Sequence, residues 1–255
     1  MSDAILFDVP EPGIAVLTIN RPEKRNSLGK DVREGLFAAW DRFEKDPALR
    51  IAILTAAGDK AFCAGGDLKE MSETKLTIPP RMMFPIPGDT IEVTKPTIAA
   101  VNGVAFAGGW LLAQACDLCV ASTTAKFAIT EAKVGRGSPW STPLIHMIPQ
   151  RIFMEIVLTG NPITAQRAYE IGLVNRVFPA DKLMEEARSF ALKLATRPSH
   201  ALKMAKLAVN YGYDLTLDAG LMLETQCFAQ CWSHPDLEEG VGAFIEKRKA
   251  DFHKD

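Results

Sequence analysis

The sequence contains neither a strong excess of one charge nor a long uninterrupted apolar run. Its 29 lysine and arginine residues nearly balance its 31 aspartate and glutamate residues, which leaves a formal net charge of −2. A chain so close to neutrality has little means of attracting nucleic acid or an acidic membrane surface by charge. Its apolar runs also stop well short of the ~20 residues that a membrane-spanning helix requires. We therefore expect no nucleic-acid partner and no membrane partner.

Targeting signals are also missing from the two ends of the sequence. The start, Met1-Ser2-Asp3-Ala4, lacks the basic region and following apolar stretch of a secretory signal. Residues 252–255 carry no peroxisomal or endoplasmic-reticulum address. A cytoplasmic protein is the expectation. Its 255 residues suffice for one α/β unit, or for an α/β core with a small helical appendage.

Sequence patterns for nucleotide binding and for serine nucleophiles are absent as well. Gly135 and Gly137 lack the third glycine of a dinucleotide-binding fingerprint, and no G-x-x-x-x-G-K-[ST] loop occurs. Ser138 does not stand in a G-x-S-x-G elbow, and none of the four histidines belongs to a recognisable triad motif. These absences argue against three common kinds of catalytic or cofactor site.

Cysteine is scarce, with five residues in the chain. Cys116 with Cys119, and Cys227 with Cys231, have spacings that a four-thiolate zinc site could use. Buried reduced thiols explain these residues better, because the first pair lies in an apolar run and no histidine neighbours either pair at ligand spacing. We expect no metal site.

Hydrophobic patterning predicts an α/β core followed by helices. Strand-like β-branched or apolar runs cover residues 14–20, 51–56, 97–101 and 118–121, and an amphipathic helix covers residues 31–44. Strands that alternate with helices indicate parallel βαβ units. From residue 180 onwards the pattern is helical only, over residues 181–195, 199–211, 217–232 and 235–250. We place the one candidate domain boundary between residues 1–195 and 196–255.

Three segments stand out as chemically informative. Two of them, residues 62–71 and 101–112, carry paired glycines between a strand and a helix start, where free backbone amides can face an anion. The third, residues 125–135, places Glu131 among apolar residues after a strand. Taken singly, a glycine pair is usually a tight turn and a lone glutamate usually faces solvent. Together they suit a carbonyl that becomes an oxyanion, with the acid moving a proton at the adjacent carbon.

At these residues the sequence resembles the enoyl-CoA hydratase/isomerase (crotonase) superfamily. The resemblance runs over nearly the whole chain and is carried by residues 20–28, 62–71, 95–103, 115–117, 158–160, 165–174 and 244–248. It implies an α/β fold in which repeated ββα units form a spiral. It also implies a C-terminal helical region used for trimerisation, with hexamers formed from two trimers.

The resemblance also assigns site residues. The amides of Gly66 and Gly108 correspond to the family's oxyanion hole for the thioester carbonyl, and Glu131 to one of its catalytic glutamates. The positions that correspond to family contacts with coenzyme A are Arg25, Ala64, Asp67 and Leu68. An acyl-CoA thioester is the implied substrate, so coenzyme A belongs to the substrate and no metal or redox cofactor is implied.

One departure from the family pattern bears on the reaction. Hydratases with two catalytic glutamates carry one at the position of Leu111, and that acid is missing here. Moving a double bond needs only one base, so Glu131 alone suffices for an enoyl-CoA isomerase, and Leu111, Trp110 and Trp140 would form apolar walls of the acyl pocket. The sequence therefore favours isomerisation. A hydratase or dehydratase that uses a single glutamate is the alternative, and a non-catalytic CoA- or RNA-binding protein is a remote one.

Overall fold

The fold is built from two β-sheets with helices packed around them. The computed structural model describes residues 3–74, 80–137 and 141–252. Its strands are β1 (Ile5–Glu11), β2 (Ile14–Ile19), β3 (Ile51–Ala56), β4 (Ala61–Cys63), β5 (Thr97–Val101), β6 (Val104–Phe106), β7 (Leu118–Ser122), β8 (Lys126–Ala128), β9 (Ile163–Thr164) and β10 (Arg176–Phe178). Its α-helices are α1 (Lys30–Lys45), α2 (Leu68–Thr74), α3 (Gly108–Ala115), α4 (Leu144–Met147), α5 (Gln150–Thr159), α6 (Ala165–Glu170), α7 (Leu183–Ala195), α8 (Ser199–Gly212), α9 (Leu217–Trp232) and α10 (Asp236–Ile245).

The strand order produces the spiral that the sequence predicted. The larger sheet has the order β1-β2-β3-β5-β7-β10, and the smaller has the order β4-β6-β8-β9. Each successive strand pair, β3 and β4, β5 and β6, β7 and β8, gives its first strand to the larger sheet and its second to the smaller one. Within both sheets these strands run parallel. The ends of β4, β6 and β8 consequently lie side by side in the smaller sheet.

The larger sheet is covered on both faces, which explains its continuous apolar runs. In β3, Leu54 packs into the core on one side, while Ile51 and Ile53 pack into a second cluster on the other. Parallel sheets buried in this way read as unbroken hydrophobic segments. The second cluster is closed by α7, whose inward positions Ala187 and Ala191 are small enough to let the helix lie close to the strands.

The C-terminal helices leave much apolar surface uncovered. In α8 no described residue is buried, and α9 and α10 each bury one, Cys227 and Ala243. Lys206 anchors α8 to the sheet region through its ammonium group, which lies 2.9 Å from the Asp117 carboxylate and 3.0 Å from the Lys95 carbonyl oxygen. The predicted division after residue 195 coincides with the end of α7 and stays a prediction.

Most predicted elements have the expected bounds, and one helix was predicted too long. The segments predicted at residues 51–56, 97–101 and 217–232 match β3, β5 and α9. The helix predicted over residues 235–250 ends at Ile245. Lys247 has a φ of 54°, a left-handed conformation that ends a helix, and the Arg248 amide then donates to the Ala243 carbonyl oxygen at 3.0 Å.

Candidate active site

Glu131 lies where the chain leaves β8. It begins a 3-10 turn, Glu131–Val134, that ends at Gly135 with a φ of 69°. Its side chain is 4% exposed, and Oε2 has no hydrogen-bond partner within the described part of the chain. Burial raises the pKa of this carboxyl, although the backbone amides of Glu131 and Thr130 and the charge of Arg136 act in the opposite direction. A buried carboxyl with a raised pKa is suited to taking up and releasing a proton.

The first glycine pair follows β4 and precedes α2. Gly65 has a φ of +102°, which L-residues rarely adopt, and this bend exposes the next amide, that of Gly66. Asp67 then caps α2, because its Oδ1 accepts hydrogen bonds from the backbone amides of Lys69 at 3.2 Å and Glu70 at 3.3 Å. Among the backbone hydrogen bonds of the described residues, none uses the Gly66 amide as a donor.

The second glycine pair starts α3. Ala107 precedes it with a φ of 52° and donates its amide to the carbonyl oxygen of Ala128 at 2.9 Å, which ties this segment to β8. Gly108 is the first residue of α3, where an amide has no partner within the helix. Gly109 packs directly on β4, since a Cβ atom there would lie 2.0 Å from the Cys63 carbonyl oxygen.

The two glycine pairs meet in space. A Cβ atom built on Gly108 would lie 3.8 Å from the Cα atom of Gly65, and one built on Gly65 would lie 3.7 Å from the Gly108 nitrogen. The close approach of α3 to β4 thus brings two free amides from different segments to the same place. Such a pair of donors can hold the oxygen of a thioester carbonyl as it gains negative charge.

A cavity of about 50 Å³ contains Gly66, Gly108 and Glu131 together. Its apolar lining comes from Leu28, Met71, Met83, Phe84 and Ala107. Its charged lining comes from Arg33, Asp67, Glu70, Glu131 and Arg136. Two amide donors and one buried acid in a partly apolar cavity can bind a carbonyl and exchange a proton beside it.

Comparison with known proteins decides the family. The family model described as enoyl-CoA hydratase/isomerase matches residues 10–255. The chain belongs to the enoyl-CoA hydratase/isomerase family. It is 39% identical to the mitochondrial enoyl-CoA hydratase of Pongo abelii over 242 residues, which cover 94% of this chain and 83% of that one. It is 36% identical to the short-chain-enoyl-CoA hydratase of Clostridium acetobutylicum over 251 residues, covering 96% and 95% of the two chains.

The fold comparison agrees with the sequence comparison. The crystal structure of an enoyl-CoA hydratase from Bacillus anthracis superposes with a TM-score of 0.90 at 31% sequence identity. The match covers 98% of this chain and 99% of that one. This chain therefore has the crotonase-type α/β fold with C-terminal helices that its sequence motifs predicted.

The residues predicted to contact coenzyme A lie in two segments, at Arg25 and at residues 64–68, that a backbone hydrogen bond joins. Arg25 is exposed, and its backbone has a left-handed conformation with a φ of 50°. Its carbonyl oxygen accepts a hydrogen bond from the Ala64 amide at 3.1 Å. Leu68 is 76% exposed at the start of α2. The Asp67 carboxylate already has partners within the protein: it caps α2, and it lies 3.6 Å from the Arg21 guanidinium. The assignment of these four positions to coenzyme A stays a prediction.

The three residues predicted to line the acyl pocket fare differently. Trp110 points away from Glu131: its ring packs edge-on against Phe127, and it lines a separate cavity of about 80 Å³. Leu111 is fully buried and is absent from the described lining of the Glu131 cavity. Trp140 lies outside the described residues. The assignment of Trp110, Leu111 and Trp140 to the acyl pocket stays a prediction.

Several lining residues were not singled out from the sequence. Met83 and Phe84 come from a proline-rich segment, which signals an irregular loop but does not say which side chains turn inward. Met71 and Arg136 also line the cavity. Met71 ends the segment 62–71 that the sequence marked, but neither residue was itself assigned a role. Arg136 is the more informative of the two, because it brings a positive charge near Glu131.

The cysteines behave as buried thiols. All five are free, and Cys116 and Cys119 are buried. Burial raises the pKa of Cys116 to about 12 and also raises that of Cys119, so neither is ionised near neutral pH. Within residues 3–74, 80–137 and 141–252, no group of three or more His, Cys, Asp or Glu side chains forms a metal-binding arrangement. No helix in this part of the chain is long and apolar enough to span a bilayer.

Proposed function

We propose that this chain hydrates 2-enoyl-CoA thioesters. The observation that carries the proposal is the single cavity that holds the buried Glu131 together with the amides of Gly66 and Gly108. In the proposed reaction the thioester carbonyl oxygen accepts hydrogen bonds from these two amides. Negative charge then develops on that oxygen as a nucleophile adds at C3, and the amides stabilise the resulting enolate.

Glu131 handles the proton in this scheme. The ionised carboxylate takes a proton from a water molecule as the water oxygen forms a bond to C3. The neutral carboxylic acid then gives a proton to C2, the enolate collapses, and the carboxylate is restored. The reaction adds one water and consumes no other group, so one buried acid suffices. No metal or redox cofactor enters this proposal.

The relatives favour hydration over the isomerisation that the sequence pattern favours. Proteins named enoyl-CoA hydratase match 94–96% of this chain at 36–39% identity. The reason for expecting an isomerase was the replacement of one hydratase acid by Leu111. Its side chain does not belong to the described cavity lining, so support for hydration comes from the relatives, and the role of Leu111 stays a prediction.

Isomerisation remains the second candidate because one observation still supports it. Within the described lining, Asp67 and Glu70 are engaged with Arg21 and Arg33, which leaves Glu131 as the acid with an unpartnered oxygen. A lone acid can remove a proton from C2 and return it at C4 without binding a catalytic water.

One experiment separates these reactions. A panel of 2-enoyl-CoA and 3-enoyl-CoA thioesters is incubated with the same preparation, and products are resolved by mass spectrometry after chromatography. We expect 2-enoyl thioesters to gain one water faster than 3-enoyl thioesters change double-bond position. The reverse order would assign the protein to the isomerases. Binding of the thioesters without either reaction would favour a non-catalytic CoA-binding protein.

We also propose that the C-terminal helices mediate self-association into trimers or hexamers. Large exposed apolar residues on and between α8 and α10 include Val209, Leu221, Met222, Phe228, Trp232 and Phe244. Contiguous apolar surface of this extent is typical of a protein interface. Sedimentation velocity tests this proposal: a chain of 27.9 kDa should sediment as a species of three or six copies, and a monomer would refute it.

A further inference from the structure

Most charged side chains that line the Glu131 cavity are held by partners within the protein. Arg33 donates to the Leu28 carbonyl oxygen at 2.7 Å and to the Glu70 carboxylate at 2.7 Å. Asp67 is used by the α2 cap and by Arg21. These groups position α2 against α1 and are not available for a ligand.

Arg136, unlike Arg33 and Asp67, forms no ion pair within the described part of the chain. It lines the cavity, and its side chain is exposed. Within the described part of the chain, its side chain contacts the sulfur of Met71 through Nη1, at 3.7 Å. A guanidinium in this situation keeps its donor groups for a ligand, and its planar fork matches a carboxylate in two-point geometry.

The backbone of Arg136 is tied to that of Glu131. Its backbone amide donates to the Glu131 carbonyl oxygen at 2.9 Å, so the two residues belong to one rigid turn. Arg136 Nη1 lies 3.7 Å from the Met71 sulfur, and that sulfur lies 3.0 Å from a Cβ built on Gly66, so Nη1 is within about 7 Å of that Cβ position. A thioester whose carbonyl oxygen meets the Gly66 amide therefore has its acyl chain within reach of this guanidinium.

Arg136 differs in chemistry from the apolar side chains that line the cavity beside it. Met71, Met83 and Phe84 offer apolar contact and no hydrogen-bond donor from their side chains. An unsubstituted alkyl chain would use this lining but would leave a guanidinium without a partner. An acyl chain that ends in a carboxylate would use both.

We propose that Arg136 is a specificity-determining residue that binds a carboxylate on the acyl part of the substrate. The preferred substrates are then CoA monothioesters of unsaturated dicarboxylic acids. This inference rests on the proposed function in one respect only, namely that the acyl group of a CoA thioester occupies the Glu131 cavity.

The first test measures binding without chemistry. Glutaryl-CoA and pentanoyl-CoA have saturated chains that can be neither hydrated nor isomerised, and they differ in a terminal carboxylate. By isothermal titration calorimetry we expect the protein to bind glutaryl-CoA about tenfold more tightly or better, as one charge-assisted hydrogen-bond pair allows. Arg136→Gln should abolish this preference and change pentanoyl-CoA affinity by less than about twofold. Arg136→Glu should reverse the preference.

Lys133→Gln is the matched control. Lys133 lies in the same 3-10 turn, pairs with Asn161 at 2.9 Å, and does not belong to the described cavity lining, yet its substitution removes the same charge. It should keep the full preference for glutaryl-CoA. Equal affinity of the unsubstituted protein for both thioesters would overturn the proposal. So would an Arg136→Gln variant that loses affinity for both equally, since that pattern would assign Arg136 to the coenzyme A moiety.

The second test separates this inference from the proposed function. Hydration of glutaconyl-CoA and of 2-pentenoyl-CoA is compared in the unsubstituted protein and in Arg136→Gln. We expect kcat/KM to favour glutaconyl-CoA and the preference to disappear in the variant. If neither thioester is hydrated, the proposed function fails, while the calorimetric preference still supports or overturns the role of Arg136 by itself.

Discussion

Substitution of Glu131 by glutamine tests the proton-transfer role with little change in shape. The side chain is 4% exposed and leaves Oε2 without a partner, so its removal breaks no ion pair that supports the fold. A positioned general acid or base contributes roughly 10²- to 10⁴-fold to a rate. We therefore expect kcat for 2-enoyl-CoA hydration to fall by about two to four decades. Affinity for a saturated thioester should stay within about tenfold, because glutamine fills almost the same volume.

The same variant should change stability in a pH-dependent way. Burial raises the pKa of Glu131 above its ordinary value of 4.5, so the folded protein holds this proton more tightly than the unfolded chain does. The unsubstituted protein consequently loses stability as pH rises from the ordinary pKa through the raised one. Glutamine has no such titration. The melting temperature of Glu131→Gln, relative to that of the unsubstituted protein, should therefore increase with pH across this window.

The assay combines turnover, binding and melting on the same preparations. The unsubstituted protein should also lose kcat/KM as pH falls below the raised pKa of Glu131, since only the ionised carboxylate accepts a proton. Turnover of Glu131→Gln at the unsubstituted rate would remove Glu131 from the mechanism. A difference in melting temperature that does not vary with pH would show that burial does not perturb this carboxyl.

Substitutions at four further positions test the oxyanion hole, the packing of α3 and the role of position 111. Gly108→Pro removes the proposed amide donor, so kcat should fall by roughly 10²- to 10³-fold. Gly108→Ala is the matched control: either side chain places a Cβ 2.6 Å from Leu28 Cδ1, but alanine keeps the amide and should retain more activity. Gly109→Ala places a Cβ atom against a β4 carbonyl oxygen and should lower the free energy of unfolding by about 1–3 kcal/mol in urea titrations. Gly220 in α9 has open space around it, so Gly220→Ala should raise the free energy of unfolding by about 0.5–1 kcal/mol. Leu111→Glu buries an acid in a fully enclosed position and should destabilise the protein without creating a faster hydratase; a rise in hydration rate would indicate that position 111 does reach the substrate.

The three residues that the sequence assigned to the oxyanion hole and to proton transfer meet in space because their arrangement depends on backbone and on one acid; their catalytic roles stay predictions. Each glycine pair follows a strand and precedes a helix, and the acid follows a third strand. These three segments come together once the strands are neighbours in the sheet. The repeated ββα units supply that strand order. The resemblance to a known family then selected Gly66, Gly108 and Glu131 from the many glycines and acids of the chain, and all three line one cavity.

The acyl pocket was predicted less well for a physical reason. A helix orientation can be read from sequence when one face is polar, but residues 108–113 of α3 are all buried. With no polar face to set the rotation, the sequence does not say whether Trp110 or Leu111 faces the substrate. The loop residues Met83 and Phe84 raise the same difficulty, because an irregular segment has no periodicity from which to derive direction.

Two unfavourable local features of the described chain, at Ala107 and Glu131, lie at this cavity. Ala107 holds a φ of 52° although it has a side chain, a conformation that costs on the order of 1–3 kcal/mol. The reason lies in the neighbouring segment: a Cβ atom on Gly65 would come within 3.0 Å of the Ala107 Cβ, so the glycine at 65 is what makes room for alanine at 107. The same bend carries the Ala107 amide to the end of β8, beside the turn that starts with Glu131. The strained backbone of Ala107 is thus tied to the last residue of β8, three residues before Glu131 and its unpartnered carboxyl oxygen, and both features would be disfavoured in a chain selected for stability alone.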